Sequence, residues 1–193
     1  MRVLCLLPSL DLLTINEERK SNEDLVEIMW KAFTYFPEGL WKGVNCVGNL
    51  TIKHDLDIRT NEEAHGAFIF SHLVRRVRRM KSNLGAKDLL LAVTHDPVII
   101  MYHRFEISKF RRIVDLVYDY MSDEVGILSL FAKDEEVGIK IAAHGMGHNQ
   151  GLSHHTEPID LMYVGLLRGE PLRIEGFCHD CQRKLKSKLG KTK

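Results

Sequence analysis

The sequence predicts an α/β domain. Three observations carry that prediction: apolar runs too short for helices, amphipathic stretches with a helical period, and turn residues between the two kinds of segment. With 193 residues, 45% of them hydrophobic and 27% charged, the chain has the size and balance of one core with a small C-terminal appendage.

Residues 2–8, RVLCLLP, are a short apolar run closed by proline, the pattern of a buried first strand, with a weak signal peptide as the alternative for the same segment. The stretch SNEDLVEIMWKAFTYF places Ser21 and Asp24 at capping-box spacing and Leu25, Ile28, Met29, Ala32, Phe33 and Phe36 at helical intervals, which predicts an amphipathic helix. Residues 43–52 alternate as a strand does. Residues 62–82, EEAHGAFIFSHLVRRVRRMKS, set Phe68, Leu73, Val77 and Met80 opposite the arginines and predict a second helix ending near Gly85. In DLLLAVTHDPVIIMYHRF two strands meet at the HDP turn. A helix is expected from Ser108 to Met121, then a strand in VGILSLF. The apolar runs are interrupted by charge well short of the ~18 residues of a membrane span.

The formal net charge is +1 with histidines neutral, so the molecule offers no strong field to nucleic acid or to a membrane surface. Arg75, Arg76, Arg78 and Arg79 read as a solvated helix face. The basic tail RKLKSKLGKTK reads as a solvated helix end, with an anion-binding role as the lesser alternative. Of the four cysteines, Cys5 and Cys46 sit in apolar contexts that predict buried thiols, while Cys178 and Cys181 form a C-x-x-C pair. That is too sparse for a disulfide framework and points to a reducing, cytoplasmic setting.

The segment DEEVGIKIAAHGMGHNQG has acidic residues where a helix N-terminus favours them, and Gly151 can end the helix. His144 and His148, four apart, then project from one helical face, and the turn at Gly151 can return His154 as a third imidazole. Three neutral imidazoles suit zinc and leave a fourth tetrahedral position open, as a catalytic site requires. His54, His65, His72, His95 and His103 show no such spacing.

HGMGHNQGLSH resembles the metzincin metallopeptidase signature H-E-x-x-H-x-x-G-x-x-H with Gly145 in place of its glutamate. The following residues narrow the resemblance to the archaemetzincins. In that family the motif continues with a cysteine, four residues, a second cysteine, one residue and a methionine, and later a C-x-x-C. Here these positions carry His155, Asp160, Met162 and then Cys178 and Cys181, with the interval from Met162 to Cys178 a little short. The resemblance covers residues 137–185. It implies a metzincin-like mixed sheet with helices, divided into an upper part, residues 1–151, ending in the zinc helix, and a small C-terminal part, residues 152–193. It implies a first zinc on His144, His148 and His154, a second, structural zinc on His155, Asp160, Cys178 and Cys181, and Met162 packed beneath the first.

In the resembled enzymes the glutamate takes a proton from water and passes it to the leaving amine, and Gly145 can do neither. A substitute base could come from Glu157 or Asp96. Two readings follow: a zinc-binding metallopeptidase homologue with impaired or unconventional hydrolysis, or a non-catalytic, zinc-stabilised module that binds a peptide or protein.

Overall fold

The computed structural model describes residues 9–16, 22–41, 43–60, 63–86, 88–106 and 109–189. Its centre is a five-stranded sheet in the order β2-β1-β5-β9-β8. The strands are β1 (Leu10–Ile15), β2 (Val44–Leu50), β5 (Leu89–Thr94), β9 (Val125–Ser129) and β8 (Asp119–Met121). The first four run parallel, and β8 pairs antiparallel with β9. A second, four-stranded sheet has the order β3-β4-β6-β7, from β3 (Leu56–Thr60), β4 (Glu63–Ile69), β6 (Val98–Glu106) and β7 (Lys109–Leu116).

Both faces of the five-stranded sheet are covered, and the pleat sorts its apolar residues between them. Leu10, Leu12, Leu89, Leu91, Val93 and Leu128 join the core built by α1 (Asn22–Phe33) and α3 (Glu135–Asn149). Leu13, Ile15, Leu90, Ala92, Val125 and Ile127 face the other way, onto Leu73, Val74 and Val77 of α2 (Phe70–Leu84). Burial on both sides explains why β5 and β9 are continuous apolar runs. After α3 the chain makes a 3₁₀ turn at Val164–Arg168 and ends in α4 (His179–Leu189). Leu152, Leu161, Met162, Phe177, Cys181 and Leu185 from this part enter the same core as α1 and α3.

Several sequence expectations are corrected. The helix expected over Ser108–Met121 is instead β7 and β8. The pairing of β7 with β6 runs in register from Ile99 opposite Leu116 to Phe105 opposite Phe110, and the density of β-branched and aromatic residues suits a pleated surface. The helix expected over residues 62–82 begins only at Phe70, because Glu63–Ile69 pairs with β3 and through Phe68 and Ile69 with β6. The first strand expected at residues 2–8, Cys5 and Ser21 lie outside the described residues, and the strand seen is the next stretch, LDLLTI. Cys46 is exposed rather than buried, since β2 is the edge strand of its sheet. Among the described residues no helix is long and apolar enough to cross a membrane. Of the α2 arginines, Arg75, Arg78 and Arg79 are exposed, while Arg76 bonds to the Asp55 carboxylate at 2.8 Å.

Candidate metal centre

Asp134 caps α3 by accepting the Val137 amide at 2.8 Å, and Glu135 and Glu136 fill the first turn, where the helix dipole favours negative charge. Residues 141–147 of this helix are buried. Two glycines let it sink so deeply. A Cβ on Gly145 would stand 2.9 Å from both Leu128 Cδ2 and Met121 Cε, and 3.6 Å from Asp119 Cβ. A Cβ on Gly147 would stand 2.7 Å from Met162 Sδ. The cost of these glycines to helix propensity, about 1 kcal/mol each, is therefore offset by close packing against β8, β9 and Met162. Met162 is fully buried against the underside of α3.

After Asn149 the chain reverses through Gly151, whose φ of +75° lies in the left-handed region and whose amide donates to the His148 carbonyl at 2.8 Å. The reversal brings His154 back to the helix. The Nε2 atoms of His144, His148 and His154 form a triangle with sides of 3.0, 2.9 and 3.2 Å. Two of the three rings are fixed from behind: His144 Nδ1 is 2.6 Å from the Leu161 carbonyl and His148 Nδ1 is 3.0 Å from the Leu152 carbonyl. A carbonyl only accepts, so each Nδ1 carries the proton, and in the neutral rings each Nε2 presents a lone pair. His144 is fully buried, and burial pushes its pKa down to about 4, a shift opposed by its bond to Leu161. Burial, followed by His148, also holds His154 below the ordinary histidine value.

Neutral lone pairs converging within 3.2 Å repel one another, and a cation between them removes the repulsion. A tetrahedral zinc with Zn–N bonds of 2.0–2.1 Å sets its ligand nitrogens about 3.3–3.4 Å apart, so the observed triangle accommodates the ion after an outward adjustment of a few tenths of an ångström. The donor set fits. His148 is partly and His154 largely exposed, so the cluster opens to solvent on one side.

Asp119, at the start of β8, flanks this triangle. Its Oδ2 lies 3.7 Å from His144 Nε2 and 3.9 Å from His148 Nε2, and its side chain is 10% exposed. Burial pushes its carboxyl above the usual range, against the pull of His148 and His154. Sequence reasoning missed this residue. It lies 25 positions before His144 in a segment taken for helix, and the one local signal was the period-two alternation of Tyr118, Asp119 and Tyr120. Of the two carboxylates considered from sequence, Asp96 is bonded to Asn16 at 2.9 Å and to His54 at 2.9 Å, and Glu157 is an exposed loop residue.

A second group of donors gathers immediately below. His155, Asp160, Cys178 and Cys181 each bring a ligand atom within 4.8 Å of the others. Asp160 is fully buried; although burial alone would raise its pKa, the Cys178 amide on Oδ2 at 2.8 Å and the Met162 amide on Oδ1 at 2.9 Å hold its carboxyl low. His155 Nδ1 is buried without a hydrogen-bond partner, although Asp160 Oδ1 is only 2.9 Å away. The other ring nitrogen, His155 Nε2, stands 3.7 Å from Cys181 Sγ. Burial, and next the Asp160 charge, push the Cys181 thiol well up, and a bound cation would reverse that penalty.

The histidine shifts set a pH dependence for the metal-free protein. The folded-state pKa of His144 is depressed, so its contribution to stability is fully present above about pH 6.5 and is lost as the pH falls toward 4. From the fall to about 4, the loss is about 3 kcal/mol, and His154 adds to it in the same direction. Urea denaturation of the demetallated protein at pH 7 and pH 4.5 should show this drop, and replacing His144 by asparagine should flatten it.

Together the parallel sheet with one antiparallel edge strand, the buried helix carrying two histidines and the returning third make a metzincin-like fold. Solved structures bear this out. The archaemetzincin of Methanopyrus kandleri superposes with a TM-score of 0.62 at 18% identity, covering 95% of this chain and 96% of that one. A zinc-dependent peptidase from Methanocorpusculum labreanum gives 0.54 at 17% identity, with 91% and 99% covered. The archaemetzincin of Archaeoglobus fulgidus, complexed with malonate, gives 0.51 at 15% identity over the same shares. The fold is thus archaemetzincin-like over nearly the whole chain. No family model matches the sequence, and no curated protein matches it significantly.

Proposed function

We propose that the chain is a zinc-dependent hydrolase of archaemetzincin type that acts on a peptide or protein by an unconventional proton transfer. The observation that carries this reading is the triangle of three Nε2 lone pairs, two of them aimed by backbone carbonyls behind the rings. His144, His148 and His154 hold the catalytic ion. When bound, zinc supplies a Lewis acid that polarises a carbonyl and acidifies water.

The chain's own residues do the rest. Leu161 and Leu152 hold two imidazoles in the tautomer that frees Nε2. Met162 and Gly147 fix the depth of α3, and the open side at His154 leaves room for a ligand. His155, Asp160, Cys178 and Cys181 hold a second, structural zinc, which makes residues 152–193 a small C-terminal subdomain beneath the upper part formed by residues 1–151. The need for Cys178 and Cys181 as thiolates goes with a reducing, cytoplasmic setting.

Gly145 favours a second reading, in which the zinc only shapes a peptide- or protein-binding cleft. The two separate by experiment. Peptide-library hydrolysis that stops on chelation and returns with zinc is the result expected of the hydrolase. Stoichiometric peptide binding by the zinc-loaded protein, with no product formed, overturns that reading in favour of the module.

A further inference from the structure

We propose that Asp119 is the proton acceptor in this site, supplied by the edge strand in place of a side chain at position 145; the inference rests on the zinc reading above. Its first support is position. Asp119 Oδ2 lies 3.7 and 3.9 Å from the Nε2 atoms of His144 and His148, while the three nitrogens are 2.9–3.2 Å from one another. A fourth tetrahedral ligand would need about the same 3.3–3.4 Å spacing as the others. Both distances are longer than that spacing, and the carboxylate flanks the His144–His148 edge of the triangle, next to the position a fourth ligand would take.

The second support is the space around residue 145. A Cβ there would lie 3.6 Å from Asp119 Cβ and 2.9 Å from Met121 Cε and Leu128 Cδ2. The volume that a residue-145 side chain would enter is thus occupied by β8 and β9, and the Asp119 side chain springs from beside the point where that side chain would begin. The glycine and the aspartate are two halves of one arrangement: without a side chain on α3, the edge strand approaches closely enough to bring its own carboxylate to the histidines. Thirdly, the Asp119 side chain is 10% exposed, so it meets the reaction in a partly dehydrated setting.

The step balances without any redox change. A water adds to the carbonyl carbon of the scissile amide, a C–O bond forms, and the proton from the broken O–H bond passes to Asp119 Oδ2. When the C–N bond breaks, that proton moves to the departing nitrogen. One amide and one water give a carboxylic acid and an amine, and Asp119 is again a carboxylate.

The test compares the zinc-loaded full chain with Asp119→Asn and Asp119→Ala, using zinc affinity, peptide-library turnover, and calorimetric binding of acetohydroxamate, whose N–OH needs a nearby acceptor. The expected result is zinc affinity within about threefold of wild type, turnover down about 10²–10⁴-fold, and acetohydroxamate bound at least about tenfold more weakly. Turnover and acetohydroxamate affinity unchanged in both variants overturn the proposal. So does a fall in zinc affinity beyond about 100-fold, which would make Asp119 a ligand. If the zinc-loaded wild-type chain binds peptide but turns none over, the hydrolase reading fails and the proton-acceptor role of Asp119 fails with it, a result read on the wild type before any variant is compared. If the wild-type chain binds no zinc, the hydrolase reading itself fails, a result seen in metal analysis before any turnover is measured. Far-UV circular dichroism of the isosteric asparagine variant keeps misfolding apart from these outcomes.

Discussion

Replacing His154 by alanine is expected to reduce zinc affinity by well over the 10- to 100-fold that follows loss of a supporting group behind a ligand. The fold should survive unchanged. His154 is exposed and lies on a loop after Gly151, so its truncation removes little packing and leaves no cavity. His144→Ala would be a poorer probe, because that ring is fully buried and its loss costs stability as well as a ligand. Competition with a chromophoric chelator gives the affinity, and thermal unfolding of the metal-free forms gives the control. A metal-free melting temperature within a degree or two of wild type, with zinc affinity unaltered, would remove His154 from the ligand set.

Cys178→Ser with Cys181→Ser should have its largest effect on stability. Structural zinc sites contribute apparent free energies of about 10–16 kcal/mol in small domains that fold only with metal. Here the same donors join a core shared with α1, α3 and the sheet, so a smaller loss of about 3–5 kcal/mol is expected. For a chain of this length, each 1 kcal/mol lowers the melting temperature by roughly 2–4 °C, which predicts a fall on the order of 10 °C. Thiol labelling gives a second measure with an internal reference. Cys46 is exposed and should react at once in the folded protein, while Cys178 and Cys181 react only after chelation. Immediate labelling of both in the zinc-loaded protein would show that they hold no metal.

The gathering of the three histidines was legible in the sequence because its geometry is local. The i, i+4 spacing of His144 and His148 survives any tertiary arrangement of a helix, and Gly151 returns His154 within a few residues. The donors His155, Asp160, Cys178 and Cys181 were reached through resemblance rather than periodicity. Asp119 was not legible, because its approach to the histidines is made by the pairing of β8 with β9 and by the seating of α3 on both, contacts that no spacing encodes. The same cause produced the misread helices: a run such as FRRIVDLVYDYM carries apolar residues at helical and at strand intervals together, and the cross-strand partners in β6 decide between them.

Three consecutive residues serve both groups of donors. Asp160 belongs to the second group, the Leu161 carbonyl accepts the proton of His144 Nδ1, and the Met162 amide returns to the Asp160 carboxylate. Any coupling between ions held by the two groups passes through this turn and is reciprocal. On the two-zinc reading, whatever factor the loss of one ion changes the other's affinity by, the loss of the second changes the first by the same factor.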